Sequence, residues 1–157
     1  VIRADPHLFT ARSIPGKLET MNKENAHQRI ETAFETYGRS FFLVELLGLE
    51  ISYSENVCIT WFPVDDFLFN PQGSYHGGLL TAIMDVTMAH LCKKLNGDAG
   101  VTMELKSLYP RPLTQGPALC KAWFTRQDRS VGFVEAQVWD AKEKLVAQGT
   151  ATWKMPG

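Results

Sequence analysis

Asp85 is the residue whose setting first invites chemistry. It lies in LLTAIMDVTMAHL, residues 79–91, where nearly every neighbour is apolar. A buried carboxylate is costly unless it is partnered. Such a group can act as a general base or as a nucleophile. It can equally be structural, accepting a hydrogen bond from Thr81 or from a neighbouring chain. His76-Gly77-Gly78 opens the same stretch. The first amides of a helix lack intrahelical partners and carry the positive end of its dipole. Glycine leaves that backbone open to close approach. An amide placed there can hold a carbonyl oxygen as it becomes an oxyanion. The plainer reading of the same three residues is a Gly-rich turn into a helix. Spacing constrains how the two features can cooperate. His76 and Asp85 are nine residues apart, which on a helix is about 180° and about 13.5 Å. One copy of the helix cannot aim both at one substrate atom. A site shared across a two-fold dimer can.

The elements that must position these residues follow from periodicity. HGGLLTAIMDVTMAHLCKKLNG, residues 76–97, combines helix formers with a glycine start and an Asn96-Gly97 stop. Its apolar residues lie nearly all round, so this long helix should be buried on most sides. Before it, GLEISY and VCITWF flank the turn residues Ser54-Glu55-Asn56 and read as a hairpin. Residues 64–75 are rich in turn formers and read as a loop. After the helix come four strand-like runs, GVTMELKSLY, ALCKAWFTR, VGFVEAQVWD and KLVAQGTATW. The short turns between them imply an antiparallel meander. In the last two runs small residues fall in step, Val134, Ala136 and Val138 on one and Leu145, Ala147, Gly149 and Ala151 on the other. A sheet that curls tightly around a helix needs such side chains. The expected fold is α+β, an antiparallel sheet of five to six strands wrapped around one long helix.

The N-terminal part is separate in character. Residues 1–16 carry Pro6, Pro15 and Gly16 without periodicity and read as an irregular lead. Residues 17–38 read as an extra helix ending at Gly38, and the apolar stretch Ser40–Leu47 adds a turn or two. The whole chain, 1–157, is expected to form one domain with its core over 45–153.

Composition excludes several classes. The 157 residues are 45% hydrophobic and carry 16 basic and 17 acidic groups, a formal charge of -1. There is no basic stripe of the kind that binds nucleic acid. No apolar run is long enough to span a membrane. The first residues lack the apolar centre of a signal peptide. Cys58, Cys92 and Cys120 are odd in number and far apart, which argues against disulfides and against a zinc site. They suit a reducing, cytoplasmic setting.

Asn70-Pro71-Gln72-Gly73-Ser74-Tyr75-His76-Gly77-Gly78 followed by Asp85 resembles the hotdog-fold acyl-CoA thioesterases, in particular the PaaI-like, phenylacetate-pathway branch. The resemblance spans about residues 45–153, helped by Tyr109-Pro110-Arg111-Pro112 and the run VAQGT, residues 146–150. It implies a helix wrapped by a sheet, an acyl-CoA substrate and a homodimer or homotetramer. By resemblance, the Gly77 amide would polarise the thioester carbonyl, with His76 and Gly78 shaping the pocket. Asp85 of the partner chain would activate water or attack the carbonyl. Asn70 would position the water or the thioester. Thr102 falls where a related branch has a serine that orients the water. No metal or cofactor is implied, since coenzyme A is part of the substrate.

Arg111 and Arg129, with Lys106 and Arg126, lie near strand ends where basic groups can meet coenzyme A phosphates; each also reads as solvated surface charge. His90 reads as a core or interface histidine, Asp65 and Asp66 as loop and capping residues. Beside the plainest alternative, an interaction domain with a Gly-rich helix start, two other function classes compete. One is an acyl-CoA-binding hotdog protein without turnover, a sensor or carrier. The other is a dehydratase, whose chemistry needs a His and an acid placed to remove a proton and expel water.

Overall fold

The computed structural model describes residues 23–38 and 41–156. The irregular lead expected over 1–16 and the first six residues of the helix expected over 17–38 lie outside them. The helix α1 runs over Lys23–Glu35, and α2 over Phe42–Leu47. Gly48 closes α2 in the left-handed conformation at φ 61°, its amide donating to Glu45 and that of Leu49 to Val44. A Cβ on Gly48 would stand 2.7 Å from the Arg29 guanidinium. That guanidinium crosses from α1 to Asp65 at 3.2 Å. Asp65 lies in the expected loop, at the N-cap position of the short helix Asp66–Leu68 though without a side-chain capping bond, and at 2% exposure it is also a buried ion-pair partner. It ties the N-terminal helix to the loop that leads to the central helix.

The strands are β1 (Glu50–Ser54), β2 (Val57–Phe62), β3 (Val101–Leu108), β4 (Ala118–Gln127), β5 (Val131–Trp139) and β6 (Leu145–Lys154). They form one antiparallel sheet in the order β1-β2-β4-β5-β6-β3. The expected hairpin β1–β2 and the meander β4-β5-β6 are present. The expected pairing of β3 with β4 is not, because β3 lies at the far edge beside β6. Residues 109–117 join β3 to β4 and carry Pro110, Pro112 and Pro117. That connection is too long and too proline-rich for a hairpin turn.

The helix α3 (Gly77–Asn96) lies against the sheet. His76 caps its start, Lys93 and Lys94 suit the negative end of its dipole, and Gly97 stops it at φ 82°. Leu80, Ile83, Met84, Val86, Thr87, Met88, Leu91 and Cys92 are buried, so α3 is enclosed on most sides. Beneath it the small residues pair across two strands, Val134 with Ala151, Ala136 with Gly149 and Val138 with Ala147. A Cβ on Gly149 would come within 3.2 Å of Met84 Sδ on α3. The small-residue floor is what lets the helix approach the sheet this closely. The result is the hotdog arrangement, α+β with a six-stranded antiparallel sheet around a long helix and an added N-terminal helix.

Residues 64–75 contain one short 3-10 helix, Asp66–Leu68. Tyr75 is buried against Phe62, ring centroids 5.8 Å apart. The Tyr75 amide donates to the Leu113 carbonyl and the His76 amide to Leu68. These contacts fix where α3 begins.

Candidate active site

The start of α3 is braced on several sides. His76 Nδ1 accepts from the Gly78 amide at 3.0 Å, so the ring is the helix cap. That bond requires Nδ1 to carry no proton. The Thr81 hydroxyl lies 3.3 Å from the Gly77 carbonyl oxygen. The Gly77 amide, by contrast, donates to no group among the described residues. It points from the positive end of a 20-residue helix. This is the geometry of a donor available to an anionic oxygen. Gly77 does not have a positive φ, so no backbone strain demands glycine there. A methyl at that position would lie 3.4 Å from the Tyr109 ring, ordinary contact.

Asp85 is half-buried, not fully enclosed as its sequence neighbours suggested. Its partner is not Thr81 but Thr102 on β3, whose hydroxyl donates to Oδ1 at 2.6 Å. The register of β3 against β6 shifts between Thr102 and Glu104, leaving Met103 unpaired. A bulge of this kind re-aims the side chains beside it. Thr102 and Asp85 are therefore brought together. Gly77 and Asp85 are not: eight residues apart on one helix, they are separated by about 12 Å and about 80°.

Gly77, Thr81 and Asp85 nevertheless share one stripe of α3, and that stripe runs along β3. Thr81 meets Ser107 at 3.1 Å and the Tyr109 hydroxyl in a short contact, while Asp85 meets Thr102. Thr81, Ser107 and Tyr109 were not singled out from the sequence as site residues. The i, i+4, i+8 spacing of Gly77, Thr81 and Asp85 was the available signal.

Asn70 closes its own loop. Oδ1 accepts from the Gln72 amide at 3.0 Å and the Ser74 amide at 3.2 Å, while Nδ2 donates to Ser74 Oγ at 3.1 Å. Arg111 donates to the Leu145 carbonyl at 3.0 Å. Arg129 is exposed. Arg126 pairs with Asp128 at 3.0 Å. His90 is half-buried and shares a hydrogen bond with the Tyr53 hydroxyl at 3.2 Å. Burial, seconded by Lys93, holds the His90 pKa below its ordinary value. All three cysteines are buried and free. Burial pushes the Cys58 and Cys120 thiols up to about 12. Among the described residues no three His, Cys, Asp or Glu side chains cluster as a metal site. No described helix is long and apolar enough to cross a membrane.

Known proteins resemble this chain in sequence and fold. The family described as Thioesterase superfamily matches residues 72–147, which include the helix start, Asp85 and β3 to β5. A conserved protein of Pseudomonas aeruginosa is 33% identical, with 72% of this chain and 92% of that one covered and a TM-score of 0.66. A Saccharolobus solfataricus protein, provisionally named an esterase, is 27% identical over 133 residues, covering 83% of this chain and 92% of its own length. The PaaI protein of the E. coli phenylacetic acid degradation operon is 20% identical, covers 84% of this chain and 96% of its own, and superposes with a TM-score of 0.68; at that identity it shares the fold. The free amide at the start of α3 and the carboxylate two turns along the same stripe thus sit in a chain that belongs to the thioesterase superfamily, a family of thioester and ester hydrolases.

Proposed function

We propose that this chain hydrolyses an acyl-CoA thioester to the free acid and coenzyme A, at a site completed by two copies of itself. The observation that carries the reading is the stripe of α3 bearing Gly77 and Asp85 against β3, a sheet edge left open. Among the described residues β3 has a partner on one side only. Val101 and Met103 are each 62% exposed there. An exposed apolar edge strand is a template for another strand. Antiparallel self-pairing of β3 about Leu105 would set Glu104 against the partner's Lys106, an attractive pair. It would also carry the Tyr109 end of one strand to the Thr102 end of the other. The Gly77 amide of one copy and Asp85 of the other then approach one substrate from two sides.

In that site the Gly77 amide holds the thioester oxygen as charge develops on it. Asp85, oriented by Thr102, takes the proton of a water whose oxygen attacks the carbonyl carbon, or attacks that carbon itself to give an acyl-aspartyl anhydride that water then hydrolyses to the free acid. The carbon–sulfur bond breaks and the thiolate leaves, taking up a proton. His76 and Gly78 hold the helix start in shape. Asn70 keeps one amide proton free of its loop for the water or the thioester. Arg111 and Arg129 are the cations offered to coenzyme A phosphates. No metal or further cofactor enters the scheme. No nucleic-acid or membrane partner does either, and three free thiols suit the cytoplasm.

Subunit mixing tests the shared site. Asp85→Asn and Gly77→Val homodimers should each be nearly inactive toward acyl-CoA. Unfolded and refolded together in equal amounts, they should regain about a quarter of wild-type activity, because about half the dimers are mixed and each of those has one intact site of two. No recovery in a mixture shown to contain heterodimers would refute the sharing. Tight acyl-CoA binding with no turnover by the wild type would instead favour a sensor or carrier.

A further inference from the structure

Tyr109 stands at the end of β3 and its ring lies over Gly77, where a Cβ on the glycine would be 3.4 Å from Cε1 and Cζ. It is 47% exposed, so one face covers the glycine while the rest stays open. Its hydroxyl is not free: it meets Thr81 Oγ1 one turn into α3. Thr81 also reaches Ser107 Oγ at 3.1 Å and the Gly77 carbonyl at 3.3 Å. A threonine hydroxyl has one proton and two lone pairs. With the phenol donating to it, Thr81 keeps its own proton for Ser107 or for the Gly77 carbonyl. The ring is therefore pinned at its far end to the helix that it covers. Together with the His76 cap on the Gly78 amide, this leaves the Gly77 amide as the open donor in a braced corner.

We propose that Tyr109 is a positioning residue for the thioester, its ring forming the wall that seats the carbonyl against the Gly77 amide and its Thr81-tethered hydroxyl holding that wall in place. The inference rests on the hydrolase reading above and assigns a role that neither the sequence resemblance nor the helix start supplies. A wall matters because oxyanion stabilisation depends on donor placement within tenths of an ångström, and a ring free to swing does not define the pocket.

The test is steady-state hydrolysis of an acyl-CoA that the wild type turns over, with thermal melting as a control for folding. Tyr109→Phe keeps the ring and removes the tether; Thr81→Val removes the tether from the other side. Each should lower kcat about tenfold, the upper end for one neutral hydrogen bond, with KM within about twofold. The double variant should be no worse than Thr81→Val alone, since the Tyr109 hydroxyl acts only through Thr81. Thr81→Ser restores the hydroxyl and should restore kcat. Tyr109→Ala removes the wall and should raise KM as well. Wild-type kcat in Tyr109→Phe, or multiplicative losses in the double variant, would overturn the proposal while leaving the hydrolase reading intact. A wild type inactive on every thioester would bring down that reading and this one with it.

Discussion

Replacing Asp85 by Asn separates catalysis from folding at a position where the structure lets both effects be sized. The side chain is half-buried, and Thr102 donates to Oδ1 at 2.6 Å. Asn retains an acceptor oxygen in the same place, so the hydrogen bond weakens from charge-assisted to neutral rather than vanishing. That difference is about 1 kcal/mol, and in a chain of this size it moves Tm by roughly 2–4 °C. The catalytic loss should be far larger. An amide cannot take the proton of water, and positioned general bases contribute about 10²–10⁴-fold, equivalent to about 3–5.5 kcal/mol in the barrier. Thiol release from a panel of short, medium, long and aryl acyl-CoAs reads the second effect and thermal melting the first. The expected result is activity lost by at least a factor of about 100 with a Tm near that of the wild type. Activity within about tenfold of wild type would remove Asp85 from the chemistry. A collapse in Tm would make it a structural carboxylate, the plainer reading of its sequence.

Two further outcomes follow from the same geometry. Gly77→Ala should fold at least as well as the wild type, since alanine is worth up to about 1 kcal/mol over glycine in a helix and its methyl meets Tyr109 at ordinary contact; it should still lose activity by intruding on the open side of the amide, and wild-type rates would show that this space is not where the substrate lies. His90 has a pKa held below its ordinary 6.5 by burial and then by Lys93, so below that pH the unfolded chain binds more protons and stability falls as pH drops through 6.5; melting between pH 5 and 8 should show that slope, flattened in His90→Gln, and an equal slope in both proteins would exclude His90 as its source.

Much of the architecture was legible in the sequence because α3 and β4 to β6 carry strong periods. The small residues at 134, 136 and 138 and at 147, 149 and 151 mark two strand faces that the structure pairs with each other. The place of β3 was not legible. Its own run is a clear strand, but which edge it joins depends on the path of residues 109–117 and on where α3 delivers the chain. The burial of Asp85 was misjudged for a related reason. Residues adjacent in a helical sequence point in different directions, and the direction of Asp85 is shared with Thr81 and Gly77, not with Met84 or Val86. The loop at Asn70 was readable from Asn-Pro and Gly73, yet the side chain's bonds to Ser74 depend on a backbone path that no spacing specifies. Asp65 gave no sign of its ion pair because Arg29 is 36 residues away.

The three cysteines, buried and free, make the molecule its own reporter. Cys58 and Cys120 sit on neighbouring strands and Cys92 on the helix above them, all at 0% exposure. A thiol reagent used to follow coenzyme A release meets no protein thiol while the helix and sheet stay together. Three equivalents react once they part. Labelling at native conditions, in the absence of substrate, therefore times the spontaneous separation of α3 from the sheet. The slowest of the three thiols to react marks the last part of that layer to open.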